Sequence, residues 1–129
     1  MDENRFYICE HCGNIIGMIN NAGVPIMCCG QKMTRLEPNT AEASTEKHLP
    51  AVTVSGDTVK AFVGSAAHPM TVEHSIQWIY LLTDKGGHRR KLLAGESPEA
   101  EFALRGEKPL AVYAYCNLHG LWKTDIREA

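Results

Sequence analysis

The 129-residue sequence contains no apolar run near the roughly 20 residues that a membrane-spanning helix requires. Its opening residues, Met1-Asp2-Glu3-Asn4-Arg5, are charged and lead into no apolar segment of the kind an export signal carries. Basic charge is not in excess. Thirteen Lys and Arg against 15 Asp and Glu give a formal net charge of -2, so the field that nucleic-acid binding needs is missing. No stretch of useful length repeats apolar residues at helical spacing, and there is no internal repeat or low-complexity tract. Cysteine is limited to five residues, an odd number that cannot pair completely into disulfides. What remains, at 44% hydrophobic and 22% charged residues, is an ordinary soluble composition sufficient for one or two small domains, expected in the cytoplasm.

Four of the five thiols fall in the first thirty residues, as Cys9-Glu10-His11-Cys12 and the adjacent pair Cys28-Cys29. Neighbouring Cα atoms are about 3.8 Å apart, whereas a relaxed disulfide spans roughly 4.4 to 6.8 Å, so Cys28-Cys29 makes a poor bridge. A four-sulfur metal site competes with a disulfide scheme here, and Cys-x-x-Cys without an export signal favours the metal. Spacing alone slightly favours zinc over iron.

The second concentration of ligand types is His48, His68, His74, Cys116 and His119. Imidazole suits iron, copper, nickel and zinc. An added thiolate pushes electron density onto a redox-active ion, so four His and one Cys point away from hydrolysis and toward electron transfer. Cys116 and His119 share the tight segment Cys116-Asn117-Leu118-His119-Gly120, His68 precedes Pro69, and His48 lies in Glu46-Lys47-His48-Leu49-Pro50.

Residues 1–36 offer little core beyond Phe6, Tyr7, Ile8, Ile15, Ile16, Val24 and Ile26, and a segment so short generally needs a metal to fold. Gly13, Gly17, Gly23 and Gly30 flank the Cys pairs, where thiolate loops need positive φ. Residues 37–45 are polar, contain Pro38 and read as a linker. Residues 46–129 read as β structure. Val52 and Val54 alternate with polar residues, Gly56-Asp57 turns, and Val59, Ala61 and Val63 resume, which predicts a hairpin. A strand is expected at 76–82, a turn at Asp84-Lys85-Gly86-Gly87, and further strands at 89–93, 101–104 and 110–115. The fold class is therefore all-β, a small metal-binding domain followed by an antiparallel sandwich with an immunoglobulin-like look.

Taken together, Glu46-Lys47-His48-Leu49-Pro50, the segment His68-Pro69-Met70-Thr71-Val72-Glu73-His74, and Cys116-Asn117-Leu118-His119-Gly120-Leu121-Trp122 resemble the superoxide reductases. The four-Cys N-terminus is similar to the rubredoxin-like, desulforedoxin-type domain of the two-iron members called desulfoferrodoxins. The resemblance implies two iron ions per chain. One is an Fe(Cys)4 centre on Cys9, Cys12, Cys28 and Cys29; the other is a catalytic iron with His48, His68, His74 and His119 in its equatorial plane and Cys116 as axial ligand. It also implies one-electron reduction of superoxide to hydrogen peroxide, a rubredoxin-like donor and a homodimer. By the same resemblance Glu46 caps the ferric ion and Lys47 draws superoxide in. A non-enzymatic iron or copper electron carrier and a zinc-ribbon interaction module are the competing classes.

Other residues carry plainer expectations. His11 and His88 read as solvated loop residues, and Met70 as packing beside the loop. Trp78, Tyr80, Tyr113, Tyr115 and Trp122 read as sandwich core first and walls of the metal site second.

Overall fold

The computed structural model describes residues 5–41, 45–64 and 66–126, with the backbone alone at residues 45 and 46. The chain divides into two compact units, Met1–Glu37 and Pro38–Ala129.

Among its described residues the first unit contains five short strands, β1 (Phe6–Ile8), β2 (Ile15–Gly17), β3 (Met27–Cys28), β4 (Gln31–Lys32) and β5 (Thr34–Arg35). β1 is the middle strand of a three-stranded antiparallel sheet between β2 and β5, while β3 and β4 form a separate hairpin. Among its described residues, the buried apolar side chains are Phe6, Cys9 and Met33, and Val24 is 71% exposed rather than part of a core. Three side chains bury too little apolar surface to offset the ordering of such a segment, so its fold depends on what the sulfurs hold. Gly13 and Gly30 turn the chain after each Cys pair at φ of 85° and 72°. Gly17 serves another purpose: it lies in β2, and a Cβ there would sit 3.4 Å from the Phe6 ring.

The second unit opens its regular structure with one helical turn, α1 (Thr45–His48). Seven strands follow among the described residues: β6 (Pro50–Ser55), β7 (Thr58–Val63), β8 (Ile76–Thr83), β9 (Gly86–Lys91), β10 (Glu99–Ala103), β11 (Pro109–Cys116) and β12 (Gly120–Asp125). They form two antiparallel sheets, ordered β10-β7-β6 and β12-β11-β8-β9. The expected hairpin is present, with Val54 opposite Val59 and Ser55 opposite Thr58. Because strand side chains alternate, Val59, Ala61 and Val63 of one sheet meet Ile79, Leu81, Val112 and Ala114 of the other in a closed core. Cys116 ends this inward row, fully buried at one end of the sandwich. A register shift between Tyr115 and Cys116 leaves Gln77 unpaired on β8, a bulge that re-aims the chain where the thiol sits.

Several sequence expectations change. Gly86 and Gly87 belong to β9 instead of a turn, because Tyr80 from β8 lays its phenol over Gly87 where any Cβ would stand. His88 is therefore a strand residue, not a solvated loop residue, and its Nε2 lies 3.1 Å from Glu107 Oε2. Trp78, Tyr80, Tyr113 and Tyr115 alternate with the core row and so occupy the opposite face of the larger sheet. There Trp78 stacks on Tyr115 and Tyr80 meets Tyr113 edge-on. β12 was not expected. It is fastened at its edge by Asn39, whose N–H donates to the Leu121 carbonyl and whose amide both donates to the Lys123 carbonyl and accepts from the Lys123 N–H.

Candidate metal centres

The first centre is a sulfur cage. Cys9, Cys12, Cys28 and Cys29 bring their Sγ atoms within 4.8 Å of one another, and all are free thiols. Four sulfurs about 2.3 Å from one ion in a tetrahedron stand about 3.8 Å apart, while a disulfide holds them at about 2.05 Å. The Cys12 and Cys28 sulfurs are 3.7 Å apart, which suits a shared ion and excludes a bond. Local chain geometry produces the cage. The Cys9 N–H donates to the Asn14 carbonyl and the Gly13 N–H returns to the Cys9 carbonyl, closing the Cys-x-x-Cys turn. Cys29 adopts φ of 53°, so two adjacent residues can aim at one point. Asn14 donates from its backbone to Cys12 Sγ and from its amide to Cys28 Sγ.

Electrostatics give the cage its preference for a cation. The Cys12 backbone N–H above all lowers the Cys9 thiol to about 6, against the opposing effect of burial. Cys29 is pushed up to about 12, first by the Cys12 side chain and then by burial, and Cys28 is raised chiefly by the Cys9 side chain. One sulfur ionises readily and its neighbours then resist. Four thiolates together require a positive ion among them. His11 lies exposed in the turn between Cys9 and Cys12.

The second centre stands at the end of the sandwich core. The ring centroids of His48 and His68 are 4.6 Å apart, those of His68 and His74 4.7 Å, and those of His74 and His119 5.2 Å. The circuit closes with 4.8 Å between His119 and His48, against a diagonal of 6.3 Å from His48 to His74. Four imidazoles thus form a quadrilateral. His48, His68, His74 and Cys116 place their ligand atoms within 4.8 Å of one another, and His119 Nδ1 lies 3.1 Å from His48 Nε2 and 3.8 Å from Cys116 Sγ. Two nitrogens at about 2.1 Å from one ion, at right angles to each other, would be about 3.0 Å apart.

The decisive test of fit is the hydrogen bonding of the rings. His68 Nδ1 lies 2.7 Å from the Pro69 carbonyl, which can only accept, so Nδ1 carries the proton and Nε2 presents a lone pair. That Nε2 is buried without a hydrogen-bond partner, as is Nε2 of His74. Buried polar atoms are rarely left so, and two aimed into one cluster beside a buried thiol are donors that a metal satisfies. Burial lowers the His68 imidazole to about 4, and it lowers His74, with further contributions from His119 and Lys47. Both shifts favour the neutral imidazole, the form that can donate a lone pair. Burial raises the Cys116 thiol, while the backbone N–H groups of Leu118 and His119 point at its sulfur and favour the thiolate. A soft, buried thiolate with neutral imidazoles is a donor set for a redox metal.

Each donor is set by its neighbours. Trp122, fully buried, stacks 5.0 Å from His48 and donates its indole N–H to the His119 carbonyl. Trp122 thus walls the site, unlike the four aromatics on the sheet's other face. Thr71 grips the His74 backbone, with its N–H and hydroxyl donating to the His74 carbonyl and its hydroxyl accepting from the His74 N–H. Met70 packs against the core and its Sδ accepts from the Ile76 N–H. Sequence reasoning missed Asn117. Its amide accepts from the Ser75 N–H at 3.0 Å and donates to the Glu73 carbonyl at 2.9 Å, clamping the His74 loop to the Cys116 loop. The available signal was its position between two ligands in Cys-Asn-Leu-His. Lys47 is exposed in α1, and its charge is felt at His74. The Glu46 side chain lies outside the described residues.

Comparison with known proteins agrees with this two-centre arrangement. The family model described as Desulfoferrodoxin matches residues 40–125, and that described as Desulfoferrodoxin, N-terminal domain, matches residues 1–36. The desulfoferrodoxin of Syntrophotalea carbinolica is 44% identical over 119 residues, covering 92% of this chain and 94% of that protein. A crystal structure of the superoxide reductase from Treponema pallidum superposes with a TM-score of 0.80 at 39% identity, covering 95% of this chain and 99% of that one. The one-iron superoxide reductase from Giardia intestinalis covers 64% of this chain and 99% of its own, with a TM-score of 0.56 and 32% identity.

Proposed function

Since the chain belongs to the desulfoferrodoxin family, we propose that it is a superoxide reductase with two iron ions as cofactors, the catalytic one held by His48, His68, His74, His119 and Cys116. The observation that carries this reading is the ring of four imidazoles whose buried, unpartnered Nε2 atoms on His68 and His74 converge beside the Cys116 thiol. When bound, iron supplies the one-electron redox change that converts superoxide to hydrogen peroxide. The chain's own residues do the rest. Four neutral imidazoles and one thiolate bring a single negative charge, so a divalent ion among them keeps net positive charge and attracts an anion. His48, His68 and Cys116 are buried while His74 and His119 are partly exposed, so the anion approaches from the His74 and His119 side.

Lys47 adds positive charge on that side, within electrostatic reach of His74. Its role is to draw superoxide in and to order the water that delivers the two protons of the product. Glu46, one residue away on α1, would supply the carboxylate that covers the metal when it is oxidised and would withdraw for substrate. Cys9, Cys12, Cys28 and Cys29 hold the second iron. The proposal extends to a homodimer, to a rubredoxin-like electron donor and to the cytoplasm, where a reducing environment keeps the five thiols free.

Stoichiometry tests the reading. A reductase yields one hydrogen peroxide for each superoxide and consumes one external electron without releasing dioxygen. Release of half an equivalent each of peroxide and dioxygen would make the protein a dismutase, and no acceleration at all would leave it an electron carrier.

A further inference from the structure

A reductase takes its electron from outside, so some surface of the second unit must bring a donor close to the catalytic ligands. One groove has the features required. It has a volume of about 560 Å³ and is lined by Val72, Ser75, Trp78, Arg89, Lys91 and Leu93. Its rim is apolar and open to solvent, with Val72 84% and Leu93 57% exposed. Two cations line its wall: Arg89 and Lys91 share one face of the edge strand β9, with Arg90 between them on the strand's other face, and all three are exposed. None of these three cations pairs with a carboxylate among the described residues. Such a concentration runs against the chain's formal net charge of -2. Cations on an edge strand deter pairing with other strands. That accounts for the charge but not for the exposed apolar rim beside the His74 loop.

The same groove leads to the metal ligands by a short covalent and aromatic route. Trp78 lines it and stacks on Tyr115 with centroids 5.6 Å apart and planes within 10°. Tyr115 is bonded to Cys116, the thiolate donor. On the other side Ser75 adjoins His74 and is hydrogen-bonded to Asn117.

Resting on the reductase reading, we propose that this groove docks the reduced form of a small acidic electron-carrier protein, which delivers one electron by way of Trp78 and Tyr115 to the centre held by Cys116. The carrier's own redox group loses one electron, the ferric centre gains it to become ferrous, and no atom is transferred. Acidic groups on the carrier face Arg89 and Lys91, and its apolar contact residues cover Val72 and Leu93. An interface of this kind is small and transient, fast at low salt and weakened by added salt.

The test uses the full-length, two-iron protein with a rubredoxin of net negative charge as the probe. Reoxidation of the reduced probe is followed by stopped flow, and binding of its zinc-substituted form by NMR. The double variant Arg89→Gln with Lys91→Gln should lower the bimolecular rate constant about tenfold at low ionic strength and much less at high. It should also remove the shift changes at Val72 and Leu93. Trp78→Leu, which keeps a buried apolar side chain, should bind the probe as the parent does but accept its electron more slowly. The reaction of photoreduced protein with superoxide should be unchanged in the double variant. If that reaction is absent in the parent, the reductase reading fails and the docking proposal with it. If it is present and the double variant oxidises the probe like the parent at every salt concentration, the docking surface is wrong. A change of oligomeric mass in the double variant, measured by light scattering, would assign the face to a second copy of the chain and equally overturn the proposal.

Discussion

Replacing Asn117 with Ala should loosen the catalytic centre while touching no metal ligand. The substitution deletes two side-chain hydrogen bonds, from the Ser75 N–H at 3.0 Å and to the Glu73 carbonyl at 2.9 Å. It leaves only the longer backbone contact from the Asn117 N–H to the Ser75 carbonyl at 3.3 Å. At about 0.5–1.5 kcal/mol for each bond, the lost interaction is about 1–3 kcal/mol. If that loss falls on the loop that presents His74, it corresponds to roughly 5- to 150-fold weaker metal retention. The assay is release of iron or of substituted cobalt to a competing chelator, followed by absorption, with the metal of the four-Cys centre as an internal reference that should not move. Asn117→Asp keeps the acceptor for Ser75 but sets an oxygen against the Glu73 carbonyl, so it should be no better than Ala. Retention of the metal by both variants as in the parent would refute the clamp.

Three further outcomes are expected. Cys12→Ser removes one of the four sulfurs and should empty the first centre while leaving superoxide reduction by the second largely intact, as metal content and stopped-flow kinetics will show. Lys47→Ile should lower the bimolecular rate constant with superoxide at low ionic strength and approach the parent as salt rises, because the ammonium acts through a screened field. Glu107 is held below the usual carboxylate range by the Arg105 N–H first, then by His88 and Thr83. A lowered pKa means the folded state binds fewer protons than the unfolded one. The stability Glu107 contributes is thus complete above the ordinary carboxylate range and lost as pH falls through its lowered value. The difference in Tm between Glu107→Gln and the parent should accordingly shrink on acidification through that range, and a difference independent of pH would contradict the assignment.

Residue chemistry made both centres legible in the sequence. Cys and His in segments without competing roles have few other uses, and the quadrilateral of rings brings together the five donors that the sequence suggested. Partnership across the chain was not legible. Asn117 matters because Glu73 and Ser75 come to lie opposite it, a fact of strand register that no local pattern carries. His88 read as loop because two glycines precede it, yet Gly87 is there to admit the Tyr80 ring into a strand pair. Alternation in β8 and β11 separates two faces without saying which one is the core. The larger aromatics took the outer face, and the core was left to Ile79, Leu81, Val112 and Ala114. β12 was masked by its own start, since a ligand loop running into Gly120 and Trp122 gives little sign of the pairing that follows.

The central claim is that Cys116 is a metal-bound thiolate on which superoxide reduction depends. The most direct measurement is the stopped-flow reaction of reduced Cys116→Ser with superoxide, made on protein whose four-Cys centre is verified to be loaded. Serine preserves the size of the buried side chain but exchanges a soft, strongly donating sulfur for a poor ligand. The expected result is that superoxide decays at its spontaneous rate and that the sulfur-to-metal absorption of the second centre is gone. Rapid reduction with that absorption intact would contradict the claim and return Cys116 to the role of a buried core residue.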